Sequence, residues 1–448
     1  MISRRAERWY RAGEYFRANS IQWLSVFINT FYPLGNTSPS IYTSTRVAQN
    51  ESDQFGGRLD FDQSEKNQFF ARYAYSNGYN VNPFSVGGSP APGFPVRDDL
   101  TGHSAVLSNT HLFSPSVTNS ARLTFFRFLF NFDQRIGQLT PDELGLQYNS
   151  SSNIGAGSPF FNLSGYSPVG GAITGPRDTV QNTFEISDNL AWFHNRHSVK
   201  IGGEFRRNQI NAIQAIAPNA FFVFSSSLPT SDAFANLLLG KQVTFYQGIG
   251  DFNRGLRNWG TAAYAQDEWR LSNRLTFNYG LRWEIITPNS EIHNRLSTFV
   301  PGYQSRVFPD APPGILVVGD PGVSSGIAAN YYKALMPRVG LALDPTGKGL
   351  WSIRAAYGIF YDPLSNGANL AFQAPLSSVP WGQFFQIAGA NVPFVNPYGG
   401  QPVPPKNTFL QPTTTVVLDN AARPPYAQDW NLSIQRSLRK IIFLKYAM

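Results

Sequence analysis

Cysteine is missing altogether from the 448 residues. That excludes disulfide frameworks and thiolate metal sites. Charge is scarce too, with Asp, Glu, Lys and Arg making up 14% of the chain against the usual quarter. No run of eighteen apolar residues occurs, so no transmembrane helix is expected. Dinucleotide, zincin and Ser-His-Asp signatures are also missing; the chain is read as a non-enzyme with no catalytic residue and no cofactor. His194 and His197 stand three apart but share a tight turn with no third ligand nearby, so they are read as turn residues and no metal site is expected. Asp344–Gly349 superficially matches a phosphate loop; it lacks the spacing and the following helix, and is read as a hairpin turn. The net charge of +8 is scattered, one or two cations per segment. A nucleic-acid binder concentrates such charge, so no nucleic-acid partner is expected.

Aromatics are abundant, at 36 Phe, 20 Tyr and 9 Trp, as are 39 Gly and 32 Pro. The aromatics have a pattern. From 275 to 285, Leu275, Phe277, Tyr279, Leu281, Trp283 and Ile285 alternate with Thr276, Asn278, Gly280, Arg282 and Glu284. Successive side chains of a strand point to opposite faces, so one face seeks hydrocarbon and the other water. The run matches the roughly 9–11 residues of a transmembrane β-strand. It recurs at 351–361, where Trp351 and Tyr361 share a face. Ten residues cover about 33 Å of strand, or about 25 Å of height when tilted, the separation of two aromatic girdles. Asp267 breaks the pattern by falling on the lipid-side parity, which requires a bulge or an interface position; Asp267 and Glu268 are expected to meet a lumenal arginine.

Connections alternate between short, turn-forming ones and long segments at 77–101, 132–181, 286–336 and 362–426. An outer-membrane barrel has this asymmetry, with long loops outside. The expected strands are 55–62, 67–76, 102–113, 116–131, 182–193, 197–208, 219–225, 241–249, 258–271, 274–285, 337–344, 351–361 and 427–438. The stretch 226–240 reads as a short helical turn on the periplasmic side. Thirteen is odd, whereas closed bacterial barrels use even numbers. The fold expected is all-β: an antiparallel up-and-down transmembrane β-barrel, incomplete, with long extracellular loops. Residues 1–50 read as an atypical N-terminal segment, with an amphipathic surface helix over 4–28 as one reading; 51–438 read as the partial barrel and 439–448 as a truncated tail.

Several phrases carry a resemblance. They are Gly57-Arg58-Leu59-Asp60, Asp188-Asn189-Leu190-Ala191-Trp192, His197 to Arg206, Leu237-Leu238-Leu239-Gly240, and Tyr264-Ala265-Gln266-Asp267-Glu268-Trp269 running into Leu275 to Arg282. Pro337-Arg338-Val339-Gly340, Tyr357-Gly358-Ile359-Phe360-Tyr361 and Gln428 to Gln435 follow. The chain resembles, over about 31–438, the barrel of TonB-dependent outer-membrane receptors, specifically the Oar-like group. The resemblance implies about 22 strands in an intact molecule, of which these are somewhat more than half. It also implies location in the outer membrane of a Gram-negative bacterium, and a bulky solute (oligosaccharide, peptide or metal chelate) taken up with energy from a TonB complex. The family's plug and TonB-contacting segment are not visible in these residues.

Outer-membrane lipid is the partner expected of the apolar faces. Ligand contacts are expected from loop aromatics: Tyr166, Tyr303, Tyr331, Tyr332, Trp381, Phe384 and Phe385. Two other readings stay open. One is a structural or adhesive barrel without transport; the other is a soluble secreted glycan-binding β-protein.

Overall fold

The computed structural model describes residues 32, 34–84, 89–133, 139–148, 157–226, 230–238, 244–362, 378–388, 392–405, 407–439 and 442–447. The stretch 4–28 lies outside them. In chain order the strands are β1 (Gln49–Ser64), β2 (Asn67–Asn82), β3 (Val96–Ser114), β4 (Val117–Asp133), β5 (Phe160–Leu163), β6 (Val169–Gly170) and β7 (Thr174–His194). Next come β8 (His197–Ile216), β9 (Phe221–Phe224), helix α1 (Ala233–Leu238), β10 (Thr244–Gly250), β11 (Asn253–Ser272), β12 (Leu275–Ile286), β13 (Ser290–Glu291) and β14 (Ser297–Phe299). Last are β15 (Ile315–Val317), β16 (Tyr331–Leu343), β17 (Trp351–Tyr361), β18 (Gly382–Ala388), β19 (Tyr426–Arg439) and β20 (Ile442–Ala447).

One antiparallel sheet forms the wall. It runs β1-β2-β3-β4-β7-β8-β11-β12-β16-β17-β19-β20, with β13 paired on the side of β11. The sheet has thirteen strands, though not the thirteen read from the sequence. Of the stretches 219–225 and 241–249, Phe221–Phe224 and Thr244–Gly250 leave the wall as β9 and β10 of a second sheet, and 241–243 lie outside the described residues. In their place come β13 and β20, the latter from a tail whose sequence loses its alternation. The sheet is open, with β1 and β20 as its two edges among the described residues.

Register is what makes the alternation work. Leu59, Ala71, Leu107, Leu123, Ile186, Phe205 and Thr261 stand opposite one another across seven strands. The same face carries Ile201, Leu281, Trp283, Val339, Tyr357 and Trp430, all solvent-accessible large apolar side chains. Such a face belongs in hydrocarbon. Trp259 and Trp269, ten residues apart on this face of β11, mark two girdles about 25 Å apart in height.

Short turns all lie at one end. Asn195 adopts φ 52° in the two-residue link from β7 to β8, a conformation Asn tolerates better than most residues. Residues 344–350 are the hairpin link from β16 to β17; Asp344 accepts from the backbone N–H of Gly349 and Thr346. Those bonds, Gly349's foremost, hold its carboxyl below the usual range. The opposite end bears the long connections, and there, among the described residues, the one extensive buried core has formed.

Candidate functional site

Three long connections build a five-stranded sheet above the wall, in the order β18-β10-β9-β5-β6. Its four longer strands each carry two adjacent aromatics: Phe160-Phe161, Phe221-Phe222, Phe245-Tyr246 and Phe384-Phe385. A strand sends such neighbours to opposite faces, so the sheet is aromatic on both. On one face Phe161, Phe222, Phe224 and Phe245 are completely buried with Leu163, Ala233 and Leu237. Phe394 packs edge-on to Phe222 and Phe224, and Tyr148 and Tyr398 pack against Phe245. Helix α1 supplies Ala233 and Leu237, one turn apart on its inner side. Asp232 caps it, accepting from Ala235 N–H at 2.8 Å. The helix thus lies at the loop end, not at the short-turn end read for 226–240.

The other face is a ladder. Phe160, Phe221, Tyr246 and Phe384 follow one another across four strands with centroids 5.3, 5.2 and 5.2 Å apart. Tyr246 and Phe384 are nearly coplanar in orientation, at 6°. Phe221, Tyr246 and Phe384 are only half-buried. Stacked, partly exposed rings on a rigid sheet offer a flat apolar surface at little entropic cost.

A polar clamp holds the connections to the top of β11. Glu291 accepts from the N–H of Gly255, His293 and Arg295. Burial alone would raise its pKa; the three N–H donors and the Arg295 guanidinium outweigh burial and keep it ionised. Arg295 reaches Asp251 at 2.5 Å. Arg254 donates from Nε to Ser378 Oγ at 2.7 Å, and burial pulls its pKa down to about 10. Three separate connections, carrying Asp251, Glu291 with Arg295, and Ser378, therefore meet at one strand tip. Nearby, Asp320 ties a fourth segment: Oδ1 accepts from Arg306 and Val307 N–H, Oδ2 from Val317 N–H and Ser305 Oγ.

The seven aromatics expected as ligand contacts divide. Trp381, Phe384 and Phe385 come together in and beside β18: Phe384 ends the ladder, Phe385 stacks on Tyr398 and Trp381 packs edge-on to Phe308. Tyr166 belongs to the same body, donating to Asp232 at 2.7 Å and packing on Phe234. Tyr331 is instead a wall residue, clustered with Tyr361 and Tyr426. Tyr332 follows it and is exposed, as is Tyr303. Phe160, Phe221 and Tyr246 were missed by reading only for period-two alternation. Adjacent aromatic pairs in otherwise aperiodic segments are the signal that finds them.

Below this body, the polar face of the wall is laced with ion pairs. Arg206 contacts Glu185 at 2.8 Å and Glu204 at 3.8 Å, and Arg282 contacts Glu204 at 2.8 Å and Glu284 at 2.5 Å. Arg282 reaches Glu204 diagonally across β11, where Ala262 stands opposite Glu204 and Tyr264 opposite Arg282. Further toward the short turns lies a groove of about 430 Å³, lined by Lys200, Gln266, Asn278, Arg338 and Asn431. The Arg338 guanidinium sits 4.9 Å over the Phe360 ring.

On the apolar face, Asp267 accepts from His197 Nδ1 at 2.6 Å and Tyr279 Oη at 2.9 Å. This corrects the expected lumenal arginine for Asp267. Glu268, on the polar face, does stand 3.9 Å from Arg270. The shift of register in this hairpin falls between Arg270 and Ser272, so Asp267 reaches its position through interface partners, not a bulge.

The family model described as an outer membrane beta barrel domain matches residues 10–447. No curated protein matches the sequence. Among solved structures, the outer membrane transporter YddB from Escherichia coli is 9% identical with a TM-score of 0.49, the match covering 89% of this chain and 40% of that one. The siderophore receptor PiuA from Acinetobacter baumannii is 10% identical with a TM-score of 0.44, covering 89% and 49%. The ferric-catecholate import receptor Fiu from E. coli K12 is 12% identical with a TM-score of 0.44, covering 89% and 51%. The chain thus spans about half the length of these structures or less. With its alternating strands, its single antiparallel wall and this match over nearly its whole length, the chain belongs to the outer membrane β-barrel domain family, and its place is the outer membrane of a Gram-negative bacterium.

Proposed function

We propose that the chain is the barrel portion of a TonB-dependent type of receptor, and that its loop-end body binds a bulky solute for energised uptake. The observation that supports this reading most is the second sheet. Loops that merely cap a structural barrel need no shared core, yet three connections here bury a common cluster of phenylalanines and hold a ladder of rings half-open to solvent. The solute class that suits stacked rings has extended flat faces, as aryl metal chelates and oligosaccharides do. The ion pairs along the polar face keep the lumen wet and charged beneath it, which suits passage of a polar solute.

The test is binding by the full chain in detergent micelles, followed by fluorescence. Ferric catecholate chelates and linear oligosaccharides are the probes. Saturable binding that Tyr246→Ala and Phe384→Ala each weaken by about tenfold is the expected result. Uptake of the bound probe by cells carrying the gene should stop when the proton gradient is collapsed. If no probe binds, or if binding is indifferent to both rings, the receptor reading fails and an adhesive or structural barrel is left.

A further inference from the structure

The short turns are tied to one another. Leu112 N–H donates to Lys66 O, Phe193 N–H to Ser116 O and Arg270 N–H to Arg196 O, at 2.7–2.8 Å. Asp344 N–H donates to Arg274 O at 2.8 Å and Ser437 N–H to Leu350 O at 2.9 Å. Each turn is thereby fastened to a strand of the next hairpin. Five consecutive turns and the foot of β19 make one continuous rim.

Charge is uneven along this rim. The turns at 194–197, 271–274 and 344–350 carry Arg196, Arg274 and Lys348, one exposed cation each. Their one carboxylate, Asp344, is taken up inside its own turn by Thr346 and Gly349. Carboxylates on the strands just above are engaged too: Glu268 stands 3.9 Å from Arg270, and Asp267 accepts from His197. Among the described residues, no carboxylate forms an ion pair with Arg196, Arg274 or Lys348.

Spacing and height narrow the partner. Arg196 Nη1 donates to the Leu271 carbonyl at 2.8 Å. Arg274 lies across Gly347 of the next turn, where an added Cβ would meet its Nε. Neighbouring turns are two strands apart, so the cations follow one another at about 10 Å. An open row of this kind suits an extended polyanion with repeated charges better than one small anion. Trp269 marks the lower girdle, and Arg274 and Lys348 lie beyond it, outside the strands. Arg436 is the contrast: it stays at girdle level on the lipid side, 4.8 Å over the Trp351 ring, where a phospholipid headgroup would meet it. The three tips extend past that level into the periplasm.

We infer that Arg196, Arg274 and Lys348 form a docking rim for peptidoglycan, the carboxylate-bearing polymer that lies flat beneath the outer membrane. Each cation meets a carboxylate of a peptide stem through charge-assisted hydrogen bonds. The backbone ties hold the three at fixed spacing, so the contacts act together on one polymer and the ordering cost is already met by the fold.

The experiment co-sediments the full chain in non-ionic detergent with purified peptidoglycan sacculi at low ionic strength. Sacculi whose carboxylates have been converted to carboxamides are the comparison. Saturable binding is expected. It should weaken by about tenfold for the amidated sacculi, for R196Q/R274Q/K348Q and on raising salt to about 0.5 M. Lys348→Gln and Lys348→Glu, at an exposed side chain, should weaken it stepwise and carry the test if the triple variant does not fold. Lys333→Gln, at the loop end, should bind as the parent does. Equal binding to amidated sacculi, or undiminished binding by the Lys348 variants, overturns the rim as a docking surface. Preferential binding to phosphatidylglycerol micelles, lost in the triple variant, overturns the polymer as its occupant.

Discussion

The Tyr246 ring lies flat on Phe384, centroids 5.2 Å apart and planes within 6°, although each belongs to a different long connection. Main-chain pairing fixes the contact: Tyr246 stands opposite Gln386 and Gly248 opposite Phe384, so the two rings meet on the diagonal. On the reverse side of the same sheet, Phe222 of β9 and Phe245 of β10 are completely buried. Phe222→Ala should therefore loosen the whole loop body, costing about 3–5 kcal/mol. Amide exchange is the measurement. Protection should fall across β5, β9, β10 and β18 while β8 and β11 stay as protected as before. Loss spread equally over the wall would mean the body is not a separate cooperative unit.

Arg282 spans β11 on a diagonal to reach Glu204, whose neighbour on β11 is the small Ala262. Arg282→Gln removes the cation from between Glu204 and Glu284 and should lower stability by about 1–3 kcal/mol in detergent unfolding. Ala262→Leu should do similar damage without touching a charge. A double variant, A262L/R282Q, should be little worse than either single change, since both act on one contact. Simple addition of the two losses would show that Arg282 does not depend on the passage over Ala262.

His197 and Asp267 are joined by a hydrogen bond on the lipid-facing side, beside the lower girdle, with Trp269 stacked on the imidazole. Asp267 Oδ1 is buried and has no hydrogen-bond partner among the described residues. Removing one member of such a pair costs more than replacing both with hydrocarbon. His197→Val alone should destabilise the barrel, and H197V/D267V should recover most or all of the loss. Thermal unfolding in micelles decides it; a double variant worse than the single would contradict this account.

Asp320 fastens residues 305–307 and 317. Burial acts to raise its pKa, but the Val317, Ser305, Val307 and Arg306 donors outweigh it, and the net direction is down. A carboxyl depressed on folding stabilises above its unfolded pKa and loses that contribution as pH falls through its folded value. Exchange of the Val307 and Val317 amides should accelerate as pH drops below the ordinary aspartate range, after correction for intrinsic exchange. Asp320→Asn should show faster exchange already at neutral pH. Rates that do not change with pH in the parent would refute the assignment.

Eleven wall strands could be read from the sequence because a wall strand has one greasy and one wet face, and pairing only confirms what period two already states. Trp351 and Tyr361, or Leu275 to Ile285, need no partner to declare their sides. The placement of β9 and β10 could not be read that way. Phe221-Phe222 and Phe245-Tyr246 are apolar on both sides, and a local pattern does not tell a two-sided strand in a loop body from an irregular wall strand; the chain brings in β5 and β18 from distant connections to cover them. The tail strand β20 was hidden for the same reason, since its place comes from pairing with β19 and not from alternation. Charge followed suit. The sequence alone determined that Arg206 and Arg207 lie on opposite faces, because side chains alternate along a strand. Only the tertiary structure decided that one meets glutamates from two strands while the other is left facing the membrane, because which groups stand opposite is set by the register between paired strands, and period two along one strand does not state it.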